Sequence, residues 1–197
     1  MNKALSVSFD RKGSFVCVNA VNVIKYTHLI IYSGGKNMNY KKIDKSDNAA
    51  VAKIVRHNLE KARLNIPGTV YFDKGLDNLS EFYNAAPDKR VYYIAKNDEG
   101  ETIGGIGIAE FDGFDGCAEI QKLYLSDEAK GKGYGKQLMS LAEEFARKAG
   151  YKLLYLETHT NLSTAIKMYE KLGFREIEKP KAVVHSTMNR FYIKEIG

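Results

Sequence analysis

The segment Lys130-Gly131-Lys132-Gly133-Tyr134-Gly135-Lys136 has the make-up of an anion-binding loop. Three glycines in five positions remove side chains, so that backbone N–H groups can converge on one negatively charged group. An amphipathic helical pattern starts directly behind it, and a helix N-terminus adds unsatisfied N–H groups and the positive end of its dipole. A diphosphate is the natural guest. The plainer alternative is a glycine-rich turn with solvated lysines.

Two other phosphate loops do not fit. A P-loop needs GxxxxGK followed by Ser or Thr, whereas Gly131 to Gly135 is one residue short and Gln137 follows Lys136. A dinucleotide fingerprint started at Gly131 meets Lys136 where its third glycine belongs, and started at Gly133 it meets Leu138. The two cysteines, Cys17 and Cys117, lie far apart without CxxC spacing, which implies neither a zinc site nor a disulfide framework. His57 and His185 stand outside any metal-ligand spacing.

The elements that must position the loop alternate between strand and helix. A short strand is expected near Tyr40 to Ile43, a helix from about Ala49 to Lys61, and a polar helical stretch near Asn78 to Asn84. Arg90 to Ala95 and Thr102 to Glu110 read as strands joined by a hairpin turn at Asn97-Asp98-Glu99-Gly100, and Ala118 to Leu125 as the strand that leads to the loop. Behind the loop, Leu138, Leu141, Ala142, Phe145 and Ala149 recur at helical spacing, and Gly150 is placed for a left-handed cap. Leu153 to Glu157 reads as a buried strand, Leu162 to Leu172 as a helix closed by Gly173, and Phe174 to Glu178 and Arg190 to Ile196 as the last strands.

Lys130-x-x-Gly133-x-Gly135 resembles the acyl-CoA signature of the GNAT superfamily of N-acetyltransferases, Arg/Gln-x-x-Gly-x-Gly/Ala. Gln121-Lys122-Leu123-Tyr124-Leu125 ahead of the loop, and Asn161 with Ala165-Ile166-Lys167-Met168-Tyr169-Glu170-Lys171-Leu172-Gly173-Phe174 behind it, are similar to the family's flanking segments. The departure is Lys130 in place of Arg or Gln, which keeps the charge and loses bidentate geometry.

The resemblance implies an α/β (α+β) GNAT fold: a mixed, mostly antiparallel central sheet flanked by helices. It is splayed between the fourth and fifth strands counted from Tyr40, which are Ala118 to Leu125 and Leu153 to Glu157. It implies acetyl-CoA as acyl donor, with the pantetheine arm on the main chain of Leu123, Tyr124 and Leu125. The diphosphate would lie on Lys130, Gly131, Lys132, Gly133, Tyr134, Gly135 and Lys136. Asn161 would either bond the cofactor or cap a helix, where Asn is a preferred residue.

Direct attack on a thioester needs a neutral amine, and a lysine-like amine of pKa about 10.4 is neutral in only about one part in 2,500 at pH 7. An α-amino group of pKa about 8 faces a far smaller deficit. Glu119 matches a position where some family members carry a catalytic glutamate, and as a base it must act through water or with a raised pKa. Its alternative is a structural carboxylate pairing with Lys122 or a neighbour. Tyr169 falls where the family's phenol protonates the departing thiolate; its alternative is a core tyrosine filling the splay. His159, at a strand end, either orients substrate or is structural, the commoner role of a lone histidine there. A CoA-binding module without turnover is the competing functional class.

Residues 1–37 read as a leader, loosely attached or poorly ordered, and residues 38–197 as the acetyltransferase domain, with Met38 as a natural start. Within the leader, Phe15 to Val18, Val21 to Ile24 and His28 to Tyr32 are β-branched stretches. The net charge of +6 is concentrated there: residues 1 to 38 hold five Lys or Arg against one acid, and the remainder holds 25 against 23. A nearly neutral body argues against a nucleic-acid surface. No apolar run approaches the roughly 18 residues of a membrane span, no signal-peptide pattern opens the chain, and a reducing cytoplasm suits the cysteine usage. The expected partner is a small-molecule or peptide amine, shaped by Ile54 to Asn84, the hairpin and Pro180 to Asn189, with Tyr71, Phe72 and Tyr83 either lining its pocket or packing. A homodimer is left open.

Overall fold

A computed structural model describes residues 8–9, 15–16, 28–33, 36–183 and 187–197. Expectations for Cys17, His185 and Val21 to Ile24 lie outside them. Ten strands and four α-helices are described: β1 (Ser8–Phe9), β2 (Phe15–Val16), β3 (His28–Ser33), β4 (Lys36–Lys42), α1 (Asn48–Lys61), α2 (Leu79–Asn84), β5 (Val91–Lys96), β6 (Thr102–Glu110), β7 (Cys117–Leu125), α3 (Tyr134–Lys148), β8 (Leu153–Thr158), α4 (Ser163–Lys171), β9 (Arg175–Ile177) and β10 (Arg190–Glu195). The two-residue strands β1 and β2 pair with each other, and β3 pairs with β4 along Ser33↔Lys36 to His28↔Lys41.

The main sheet runs β3-β4-β5-β6-β7-β8-β10-β9. Every neighbour is antiparallel except β7 and β8, which run parallel. This parallel ladder contains only Cys117↔Leu153, Ala118↔Leu154 and Glu119↔Tyr155. Beyond Glu119 the strands diverge, as the GNAT resemblance implies.

Both faces of the sheet are covered. On one, α3 buries Leu138, Met139, Leu141, Ala142 and Ala146 against β-strand residues such as Ile106, Ile108 and Leu154, with Tyr169 of α4 in the same cluster. On the other, Val51, Val55 and Leu59 of α1 pack with Tyr83, Tyr92 and Ile94. Asn48 clasps α1 to α2: its Nδ2 donates to Ser80 Oγ at 2.9 Å and its Oδ1 accepts from Ser80 N at 3.0 Å. Both helices expected to end at glycine do so. Gly150 has φ 85° and Gly173 has φ 87°, and the next residue returns to the helix, Tyr151 N donating to Ala146 O and Phe174 N to Tyr169 O.

β6 is built around glycine because tyrosines lie across it. A Cβ on Gly105 would meet Tyr92 Cε1 at 2.3 Å and Tyr93 O at 2.6 Å, and one on Gly107 would meet Tyr83 Oη at 2.1 Å. The Tyr92 hydroxyl then reaches β7 and donates to Lys122 O at 2.9 Å. At that point β7 bulges: the register jumps from Gly105↔Tyr124 to Gly107↔Gln121, and Lys122 takes φ 50°. Among the described residues no helix is long and apolar enough to cross a membrane.

Gly105→Ala tests the close approach. Backbone Tyr93 O cannot move aside as a side-chain tip can, so unfolding stability should fall by about 1–3 kcal/mol. Urea denaturation with an unchanged m-value checks this, and a stability equal to wild type contradicts it.

Candidate functional site

The divergence of β7 from β8 opens a cavity of about 690 Å³. Its walls come from α1, both strands, the glycine loop and α4. Leu123, Tyr124, Leu125, Lys130, Gly131, Gly133, Gly135, Lys136, Asn161 and Tyr169 all line it. Three expected site residues do not. Lys132 is exposed, Tyr134 packs against the α3 core, and Glu119 is bonded to its neighbour on β7, Gln121 Nε2 donating to Glu119 Oε2 at 2.6 Å.

The loop is shaped for an anion. Gly131 has φ 75° and Gly133 φ 89°, left-handed values in which a side chain would be strained, and a Cβ at either would point into open space. Gly133 is the N-cap of α3 and no side chain caps it, which leaves the first-turn N–H groups available to a ligand. On the inner side the fit is close, since a Cβ on Gly135 would meet Met168 Sδ at 3.3 Å.

One carboxylate gathers the bases beside this loop. Asp127 accepts from Lys130 Nζ at 2.7 Å and Lys61 Nζ at 2.8 Å, with His57 Nε2 at 2.9 Å. Those partners hold its carboxyl well below the usual range. A diphosphate arriving at the loop must compete with Asp127 for Lys130 and Lys61, both of which line the cavity.

Divergence beyond Glu119↔Tyr155 leaves the facing edges of β7 and β8 without a strand between them. A ligand that carries amides in an extended chain can occupy such an edge as an added strand does. Part of the edge is already used, since Asn58 Nδ2 donates to Leu125 O at 2.9 Å.

Tyr169 is buried among Phe174 and Tyr192 rings, at centroid distances of 6.1 and 6.5 Å, and still lines the cavity. Burial raises its pKa far above the ordinary tyrosine value, so the phenol keeps its proton. Asn161 does not cap α4: the N-cap is Leu162, and Asn161 Nδ2 instead donates to Ala62 O at 2.8 Å, tying the start of α4 to the end of α1. A short 3-10 turn, Thr160–Leu162, precedes the helix and displaces the cap, and His159 Nδ1 accepts from Asn161 N at the start of that turn. Tyr83 is buried and donates to Gln121 Oε1 at 2.8 Å, Tyr71 donates to Glu60 Oε1 at 2.7 Å, and Phe72 is exposed. Cys117 is a buried free thiol, pushed up to about 12 by loss of hydration, and unsuited to act as a nucleophile.

Sequence reading missed Lys122 and Glu157, which line the cavity from opposite strands. The bulge at Lys122 leaves no sequence mark, because a lysine within a strand pattern gives no sign of a positive φ. Glu157 is the penultimate residue of β8, and only the divergence of the strands brings it to the cavity wall.

Residues 57–174 match the Acetyltransferase (GNAT) family. The chain belongs to that family. It is 36% identical over 140 residues to the uncharacterized N-acetyltransferase YjgM of Escherichia coli, across 70% of this chain and 82% of that protein. Among solved structures, a GNAT acetyltransferase of Staphylococcus aureus has a TM-score of 0.71 at 20% identity, covering 81% of this chain and 99% of that one. The PaiA N-acetyltransferase of Thermoplasma acidophilum, solved in complex with coenzyme A, has a TM-score of 0.60 at 19% identity, covering 80% and 98%. These place the chain among acyltransferases with the GNAT fold.

Asp127→Asn should tighten CoA binding by a factor of roughly 2 to 5, the size expected for an exposed ion pair, because Lys130 and Lys61 are released to the diphosphate. Calorimetry with CoA at low ionic strength reads this. Weaker binding would mean that Asp127 orders the lysines for the ligand instead.

Proposed function

We propose that the chain transfers the acetyl group of acetyl-CoA to an amine by direct attack, with residues 38–197 as the catalytic unit. The observation that carries this reading is the conjunction of an uncapped, glycine-built helix N-terminus with an open β7 edge in one cavity. The donor reading is supported by the coenzyme A bound to the Thermoplasma neighbour, and the amine by the name of the Escherichia coli relative. Bound acetyl-CoA supplies an activated acetyl thioester.

Each part of the chain then has a task. The amides from Gly131 to Lys136 hold the diphosphate, with Lys130 and Lys136 adding charge. The main chain of Leu123, Tyr124 and Leu125 holds the pantetheine arm between β7 and β8, and Asn161 keeps α4 against α1 beside it. Tyr169 holds a proton at Oη for the departing thiol. With cysteine as a proxy for that thiol, transfer from an ordinary phenol is uphill by roughly 2 kcal/mol, and burial adds to the climb. The proton must therefore move as the leaving group departs. Glu119 takes the proton from the amine through water, with Gln121 and Tyr83 fixing its carboxylate.

Tyr169→Phe should lower kcat roughly a hundredfold, the range for loss of a general acid, and leave CoA affinity within about twofold, since the hydroxyl does not hold the cofactor. Because burial raises the tyrosine pKa, the proton-bearing form persists through alkaline pH. Wild-type kcat should show no descending limb from this group below about pH 10. Thiol release from acetyl-CoA across a panel of amines measures both. An unaltered kcat in the variant would remove Tyr169 from the mechanism, and no thiol release with any amine despite CoA binding would remove the transferase reading.

A further inference from the structure

The β7 bulge presents a lysine to the cavity that the mechanism above does not use. Lys122 takes a left-handed φ of 50° without being glycine, and its carbonyl is pinned by the Tyr92 hydroxyl at 2.9 Å. Backbone strain of this kind persists only where the surroundings over-determine it, and it gathers at functional positions. The side chain lines the cavity, partly open to it and otherwise surrounded by protein.

Its ammonium makes no hydrogen bond or ion pair with any described residue. Loss of hydration pulls its pKa below the ordinary lysine value, while the more distant charges of Asp73, Glu119 and Glu157 pull it upward. A poorly hydrated ammonium with its donors unused is costly, and a ligand that brings an acceptor relieves that cost.

The surroundings offer both signs: one cation without a direct partner among the described residues, and carboxylates set apart from it on β7, on β8 and after α1. A diamine would bring a second ammonium towards Lys122. An amine with no other charge would leave Lys122 as it is. We infer that Lys122 is a specificity-determining residue and that the acceptor is a zwitterionic amine of the amino-acid class, its carboxylate paired with the Lys122 ammonium and its amino group turned towards the acidic side chains. This rests on the transferase reading and adds the substrate class.

The test uses the purified full chain, acetyl-CoA, and matched acceptors: common L-amino acids, the carboxamide of each, and the amine left by decarboxylation. Carboxylate-bearing members should exceed both counterparts in kcat/KM by at least about tenfold, as expected for a direct charge pair in a partly desolvated site. Lys122→Met should lower kcat/KM on carboxylate-bearing acceptors by a much larger factor than on decarboxylated ones, so that the preference collapses to within about threefold. Lys122→Arg should keep part of it. CoA affinity and thermal unfolding of both variants establish that they fold. The inference is overturned if carboxamides or decarboxylated amines are used as well as the amino acids, or if Lys122→Met lowers both classes equally. A wild-type chain with no affinity for CoA fails the underlying transferase reading, whereas CoA binding with turnover only on amines lacking a carboxylate fails this inference alone.

Discussion

The cavity exists because the parallel ladder between β7 and β8 stops at Glu119↔Tyr155. A continued ladder would pair the main chains of both strands and leave no room between α1 and α4. Interrupting it inside a sheet leaves backbone N–H and C=O groups that must find other partners. Asn58 takes one of them, the carbonyl of Leu125. The remainder form an edge of the kind that proteins usually cover, since an open edge invites another chain. Here it lies at the bottom of a cavity, where an extended amide-bearing ligand can reach it and a second protein strand cannot easily do so.

The bulge beside this interruption is held in place from the α1 face of the sheet. Gly105 and Gly107 allow Tyr92 and Tyr83 to lie flat on β6, and their hydroxyls reach over to Lys122 O and Gln121 Oε1 on β7. The bulge at Lys122 and the Gln121 side chain therefore share one support. Burial raises the pKa of Tyr83, Tyr92, Tyr124 and Tyr169 alike, so a high pKa does not distinguish one of these phenols from another. Their positions differ: Tyr83 and Tyr92 donate to other groups within the protein, whereas Tyr124 and Tyr169 line the cavity.

Much of this architecture was legible in the sequence. Thr102–Glu110 has the expected bounds, α3 and α4 end at the glycines marked for them, and most other elements fall within a residue or two of expectation. Helical periodicity and left-handed caps are local properties, and local properties survive in a string of letters. The glycine loop was legible for the same reason. What escaped is relational. Leu162 rather than Asn161 caps α4 because a 3-10 turn intervenes, and Asn161 found a carbonyl 99 positions away, on Ala62. Lys122 and Glu157 acquire their setting only when two strands separate.

The ends of the cavity differ in the physics that governs them. At the loop, Lys61, Lys130 and Asp127 are about half exposed, so their interactions are screened by salt and are individually weak. The uncapped first-turn amides of α3 beside them are fixed, directed donors, which salt does not screen in the same way. At the bulge, Lys122 has lost much of its hydration, and a charge brought to it acts through protein rather than bulk water. A mobile, charged donor tail suits the first setting, because it can enter and leave quickly. Discrimination among amines suits the second, because a wrong charge placed where water is scarce carries a penalty that added salt does not remove.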